Sequence, residues 1–142
     1  MKRMGSRWVA GGMLCSMALA QASQAGGMDA VLQCTVRYAS EVWHLSSRPT
    51  VDPYRVPLTE LAERFAFRAV VAGTPSHIDH ITLTVYDLEV EGAPVILQTV
   101  RHLPPFDVRT EVPALTGWNH VYSARKGREL VYGCALQQKE QP

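Results

Sequence analysis

Beyond residue 30, glycine and proline cut this chain into short pieces. None longer than about ten residues carries the period of an amphipathic helix. The pieces instead alternate apolar and polar side chains, the period of a half-buried strand. Residues 64–72 (RFAFRAVVA) set Phe65, Phe67, Ala69 and Val71 against Ala66, Arg68, Val70 and Ala72. Residues 78–88 (IDHITLTVYDL) place Ile81, Leu83 and Val85 on one side and Thr82, Thr84 and Tyr86 on the other. Residues 95–103 form a third such run, stopped by Pro104 and Pro105; turn clusters at 73–76 and 91–94 separate the three. Parallel strands need about a dozen or more connecting residues, so connections this short predict antiparallel hairpins.

The remaining segments fit the same scheme. Residues 31–45 begin with strand alternation. Residues 48–57, with prolines at 49, 53 and 57, read as an extended connection or a sheet edge. Residues 58–63 have the length of one helical turn. Residues 106–116 are irregular, with a short edge strand expected at 108–112. Residues 118–124 and 129–136 flank the charged turn Arg125-Lys126-Gly127-Arg128 and read as a final hairpin, with Gly127 at a position of positive φ. The polar tail, 137–142, is expected to fray. Six to seven strands in one domain predict an all-β fold: an antiparallel β-sandwich, Ig-like or a small barrel.

The start of the chain is of another kind. Lys2, Arg3 and Arg7 precede thirteen uncharged residues, 8–20 (WVAGGMLCSMALA), and small residues follow at Ala20, Ala22, Ser23 and Ala25. A basic start, a short apolar run and a small-x-small cleavage site form a secretory signal peptide, residues 1–25, cut after Ala22 or Ala25. The run is short against the roughly 20 residues that span a bilayer, so no transmembrane segment is expected after cleavage. Lipid attachment at Cys15 is disfavoured by the bulky Leu14 before it. The exported domain is then 26–142. Cleavage after Ala25 removes three cations and no acid, so 14 basic against 13 acidic residues become 11 against 13, a net charge of −2. That balance gives no electrostatic reason to expect nucleic acid as a partner. The expected location is the periplasm or the exterior.

Two cysteines remain after cleavage, Cys34 and Cys134. In an oxidising compartment an even pair reads as one disulfide. Leu32, Cys34 and Val36 share one strand face, as do Tyr132, Cys134 and Leu136, so both sulfurs are expected to point into the core and to join the first strand to the last. Closing a loop of this length stabilises by up to about 4.7 kcal/mol through the unfolded chain.

Motifs for chemistry are sparse. There is no G-x-S-x-G elbow, no CxxC, no Walker or G-x-G-x-x-G loop, and no cysteine is left free after bridging. Glu89 and Glu91 at the entrance to Gly92 read as solvated turn residues. The densest polar cluster is Ser76-His77-Ile78-Asp79-His80. His77, Asp79 and His80, joined by His102 if the strand register allows, form a candidate zinc or copper site. Residues three apart on a regular strand face opposite ways, which opposes that convergence, and surface histidines are the plainer reading. Among the aromatics, Tyr54, Phe106 and Trp118 lie near loops or strand ends and are the candidate partner-binding residues, since Trp and Tyr recur at interface hot spots. The competing arrangement buries Trp118 together with Tyr122 as core.

These features predict an exported, non-enzymatic binding module of the bacterial envelope that recognises another macromolecule and needs no cofactor. The 49–57 segment, the 104–117 loop or an exposed edge strand would make the contact. The alternatives are a zinc- or copper-binding protein using the histidines, and a small hydrolase or an inhibitor of one.

Overall fold

The computed structural model describes residues 28–140, and the expected signal segment lies outside them. Nine strands form among the described residues: β1 (Met28–Tyr38), β2 (Glu41–Ser47), β3 (Pro49–Thr50), β4 (Thr59–Leu61), β5 (Phe65–Thr74), β6 (His77–Asp87), β7 (Val95–His102), β8 (Asn119–Ser123) and β9 (Arg128–Glu140). Seven of them are five residues or longer, and no α-helix occurs among them. A first sheet runs β2-β1-β9-β8. The second runs β5-β6-β7, with β3 parallel and β4 antiparallel to the outer side of β5.

The two sheets face each other across one core, as the alternation demands. From the first come Leu32, Val36, Leu130, Tyr132 and Leu136, and from the second Phe65, Phe67, Ile81, Leu83 and Val85, all almost wholly buried. Burying a large apolar side chain contributes about 1.5–3 kcal/mol relative to exposure. Ring contacts stitch the layers: Tyr38 meets Phe65 edge-on at 5.1 Å, and Phe67 meets Tyr132 at 5.2 Å. The Tyr132 hydroxyl donates to Gln98 Oε1 at 2.9 Å, and burial pushes its pKa up to about 12.

The last strand enters between the first and the eighth, so β1 and β9 form an unbroken ladder from Met28–Glu140 to Tyr38–Leu130. Cys34 lies directly opposite Cys134 in that ladder, and the two are bonded. The disulfide therefore joins neighbouring strands within one sheet; in antibody domains it crosses between sheets.

Several local expectations need correction. Residues 31–45 contain a hairpin, with Ala39 (φ 52°) and Ser40 turning β1 into β2. Residues 58–63 hold no helical turn: Thr59–Leu61 pairs with β5, and the chain then reverses through Ala62 and Glu63, both at positive φ. No strand forms at 108–112, where turns wrap the edge of β9 instead. The tail does not fray at 137, because β9 continues to Glu140 against the start of β1. Short β3 and β4 take the count past the expected six or seven.

Candidate functional site

The end strand of the first sheet, β2, has one edge without a partner among the described residues, and the ladder chemistry fixes which residues present it. The Cys134 amide donates to Thr116 Oγ1 at 2.8 Å, and its carbonyl accepts from the Leu115 amide at 3.0 Å. Cys134 thus spends its backbone groups away from β1, and its partner Cys34 turns its own toward β2 and Leu45. Alternation then points the amides and carbonyls of Leu45, Trp43 and Ser47 to β1. Those of His44 and Ser46 point to the free edge.

That edge opens on a groove of about 450 Å³. His44 and Ser46 line one wall. The other wall is the connection from β2 to β4, with Arg48, Asp52 and Arg55, and the floor is Phe67 and Ala69 of β5. The connection is braced. Arg48 donates to Asp29 at 2.7 Å, Asp52 accepts from the Tyr54 amide in a 3-10 turn at Pro53–Arg55, and Asp52 pairs with Arg55 at 3.1 Å. Val51 and Tyr54 on this connection are 83% and 91% exposed, too bare to belong to the core.

The histidine cluster sits at a bulge. Register shifts at Ala72/Gly73, so Ala72 faces His80 while Gly73 faces Ile78. Gly73 adopts φ 130°, and a β-carbon there would strike the His77 carbonyl oxygen. The bulge lets Ile78 and Ile81, three apart, both turn inward, and it leaves His77, Asp79 and His80 around one depression of about 380 Å³. His77 Nε2 is 3.4 Å from Asp79 Oδ1. His102 does not join them. It pairs with Ile81 and so faces the opposite side of the sheet from His80, half-buried, with its Nε2 unpartnered and its pKa pushed down by burial. No group of three or more His, Cys, Asp or Glu side chains lies together at metal-binding distance among the described residues.

The three aromatic candidates do not share a surface. Tyr54 stands over the outer face of the second sheet. Trp118 lies on the outer face of the first, against Gly133, with the Arg37 guanidinium 4.5 Å from its ring centre. Phe106 packs against the core. Trp118 and Tyr122 are 40% and 59% exposed, so the core arrangement for that pair does not hold.

Other polar constellations were hidden in the sequence. On the outer face of β8–β9, Glu129 accepts from Tyr122 at 2.8 Å and is bonded to His120, and these two contacts, His120 first, lower its pKa. Alternation of His120 and Tyr122 across the hairpin from Glu129 was the available signal. Glu89 is no solvated turn residue: Arg64 and Arg128 reach it at 2.6 and 2.7 Å and Lys126 at 3.6 Å, and its side chain is 18% exposed. Among the described residues, no helix is long and apolar enough to cross a membrane. No protein-family model, curated protein or solved structure matches the chain.

Proposed function

We propose that this chain is an exported, non-enzymatic binding module that takes an extended segment of another envelope protein as an added strand on β2. The observation that carries the reading is the free edge of β2 at His44 and Ser46, opening on the groove. Main-chain hydrogen bonds to such an edge supply affinity, and the groove beside it supplies selection of alternate side chains. Soluble proteins usually block a free edge with charge, proline or a covering loop. Here the outward residues of β2 are Val42, His44 and Ser46, and the prolines lie on the opposite wall. A disulfide between the first and last strands suits an oxidising compartment, and export by cleavage after Ala22 or Ala25 would leave a mature chain beginning at Ser23 or Gly26.

The test uses proline as an edge blocker. The Ser46 amide points away from β1, so Ser46→Pro removes no hydrogen bond of the protein's own ladder, yet it denies that donor to an incoming strand. A photo-crosslinker at position 44 in intact cells should capture one envelope protein near one-to-one, Ser46→Ala should retain it, and Ser46→Pro should lose it. Capture unchanged by Ser46→Pro refutes strand addition at β2. A mature N-terminus still carrying residues 1–22 refutes export by cleavage.

The second reading, zinc or copper binding, rests on the bulge that gathers His77, Asp79 and His80. Stoichiometric metal in the purified mature protein, lost in His80→Ala, would establish it in place of the first.

A further inference from the structure

The outer face of the second sheet carries a feature that strand addition at β2 does not use. Arg68 of β5, Thr82 and Thr84 of β6 and Arg101 of β7 project from this face, with His80 at one end and Tyr54 over it. They surround a depression of about 280 Å³. Register fixes the arrangement: Thr82 is opposite Arg101, and Arg68 is opposite Thr84.

Two of the three buried side-chain polar atoms without a hydrogen-bond partner among the described residues belong to this one depression. They are Arg68 Nε and Thr82 Oγ1. An arginine N–H can only donate, and a buried donor left unmade costs free energy that an acceptor recovers. Arg68 satisfies one other nitrogen by donating from Nη2 to the Pro53 carbonyl at 2.6 Å. No carboxylate among the described residues lines the depression. Asp79, next to His80 in sequence, lines the neighbouring depression beside His77. Neither Arg68 nor Arg101 takes part in an ion pair among the described residues, although eight other basic side chains, counting His77 and His120, line up with acids.

We infer that this depression binds an oxyanion of the phosphate class. Its donors stand on three neighbouring strands, about 4.8 Å apart across the sheet, and so approach from separate directions. That spread suits a tetrahedral group with three or four oxygens better than a planar carboxylate, for which one arginine fork is the usual match. Arg101 and His80 supply the accessible donors. Arg68 Nε and Thr82 Oγ1 are closed from water as the side chains stand, so they reach a bound group only if Arg68 turns.

Isothermal titration of the mature protein with inorganic phosphate, at fixed ionic strength, should give saturable one-site binding. Arg101→Gln and Thr82→Val should each weaken it about tenfold or more. Thr82→Val removes a hydroxyl that bonds nothing in the free protein, so its melting temperature without phosphate should not fall, and loss of binding cannot be loss of fold. Vesicles of phosphatidylglycerol, with phosphatidylcholine as control, distinguish the source. Vesicle binding that inorganic phosphate competes away and Arg101→Gln abolishes identifies a lipid headgroup; phosphate binding without vesicle binding identifies the free ion. Phosphate no better than chloride, acetate equal to phosphate, or binding unchanged in both variants overturns the inference. Ser46→Pro should leave phosphate binding intact, so failure here and failure at the β2 edge are separate results.

Discussion

Asp87 and Arg68 both sit on the second sheet, both are largely withdrawn from water, and their surroundings are opposite in kind. Asp87, 3% exposed at the inner end of β6, has each carboxylate oxygen occupied. Oδ1 accepts from the Glu89 amide at 2.8 Å and Oδ2 from the Ser123 hydroxyl of the first sheet at 2.7 Å. Two residues on, Glu89 gathers Arg64 from just before β5, Lys126 from the β8–β9 turn and Arg128 from the start of β9. On the outer face of the same sheet, Arg68 Nε and Thr82 Oγ1 have no hydrogen-bond partner among the described residues. Polar groups buried to hold a fold are answered from within it, because an unanswered one is a net loss. The paired end of the sandwich is therefore structural, and the unpaired face is where we infer the oxyanion to bind.

The largest effect expected from this contrast is at Asp87. Asp87→Ala leaves the Ser123 hydroxyl and the Glu89 amide unmatched and cuts the polar tie between the sheets, for about 3 kcal/mol of stability by urea unfolding. A loss under about 1 kcal/mol would show that this end does not hold the sheets together. Glu89→Ala should follow at about 1–2 kcal/mol, since its partners are part-exposed and water replaces some of what is lost. The loss should grow at low salt, where three cations left without their acid repel most.

An ion pair that ties no two strands together separates pairing from position. Asp107 and Arg109 lie two residues apart in the loop between β7 and β8, with Arg109 Nη2 and Asp107 Oδ2 2.6 Å apart. The Arg109 hydrogen bonds hold the Asp107 carboxyl at about 2, below its ordinary 3.8. A depressed carboxylate pKa contributes stability that is complete above the unfolded value and is lost as pH falls through the folded one. The urea midpoints of wild type and Arg109→Gln should therefore differ slightly above about pH 4 and converge toward pH 2. The gap should be smaller than that for Glu89→Ala and should shrink with salt, because Arg109 is largely exposed and Asp107 part-exposed. A gap as large as at Glu89 would mean that pairing alone, and not a position between sheets, sets the contribution.

The same contrast explains what the sequence made legible. Phe65 to Val71 and Ile81 to Val85 announce their strands, because one face of each is core and the other is not. The turn at Ala39-Ser40 carries no glycine, asparagine or aspartate to mark a two-residue hairpin, so β1 and β2 read as one run. The end of β9 is built from Gln137, Gln138 and Lys139, side chains that pair as a ladder with β1 without entering the core, and so leave no apolar period to detect. At the histidine cluster the signal was present in another form: Ile78 and Ile81, three apart and both apolar, just after Gly73, are the mark of a bulge. Asp87 and Glu89, ahead of Gly92, look like turn residues, since their partners Arg64, Ser123 and Arg128 are distant in sequence. The free edge of β2 depended on the strand order, which alternation does not specify.

The smallest effect is the one that bears most directly on the contrast. In Thr82→Val a methyl takes the place of the hydroxyl, with little change of volume. Where a buried hydroxyl is bonded, as at Ser123, that loss strands a partner and destabilises by about 1 kcal/mol or more. Among the described residues, Thr82 has no partner to strand. The change also moves an unmatched polar atom out of a buried place on a strand, where valine is as well suited as threonine. The expected shift in unfolding free energy is zero to about 1 kcal/mol in the stabilising direction. Destabilisation as large as that of Ser123→Ala would mean that the Thr82 hydroxyl is already answered within the fold, and the distinction between the two regions would collapse. Stability kept while phosphate binding is lost would show that the protein tolerates an unmatched group at this one place because a ligand completes it.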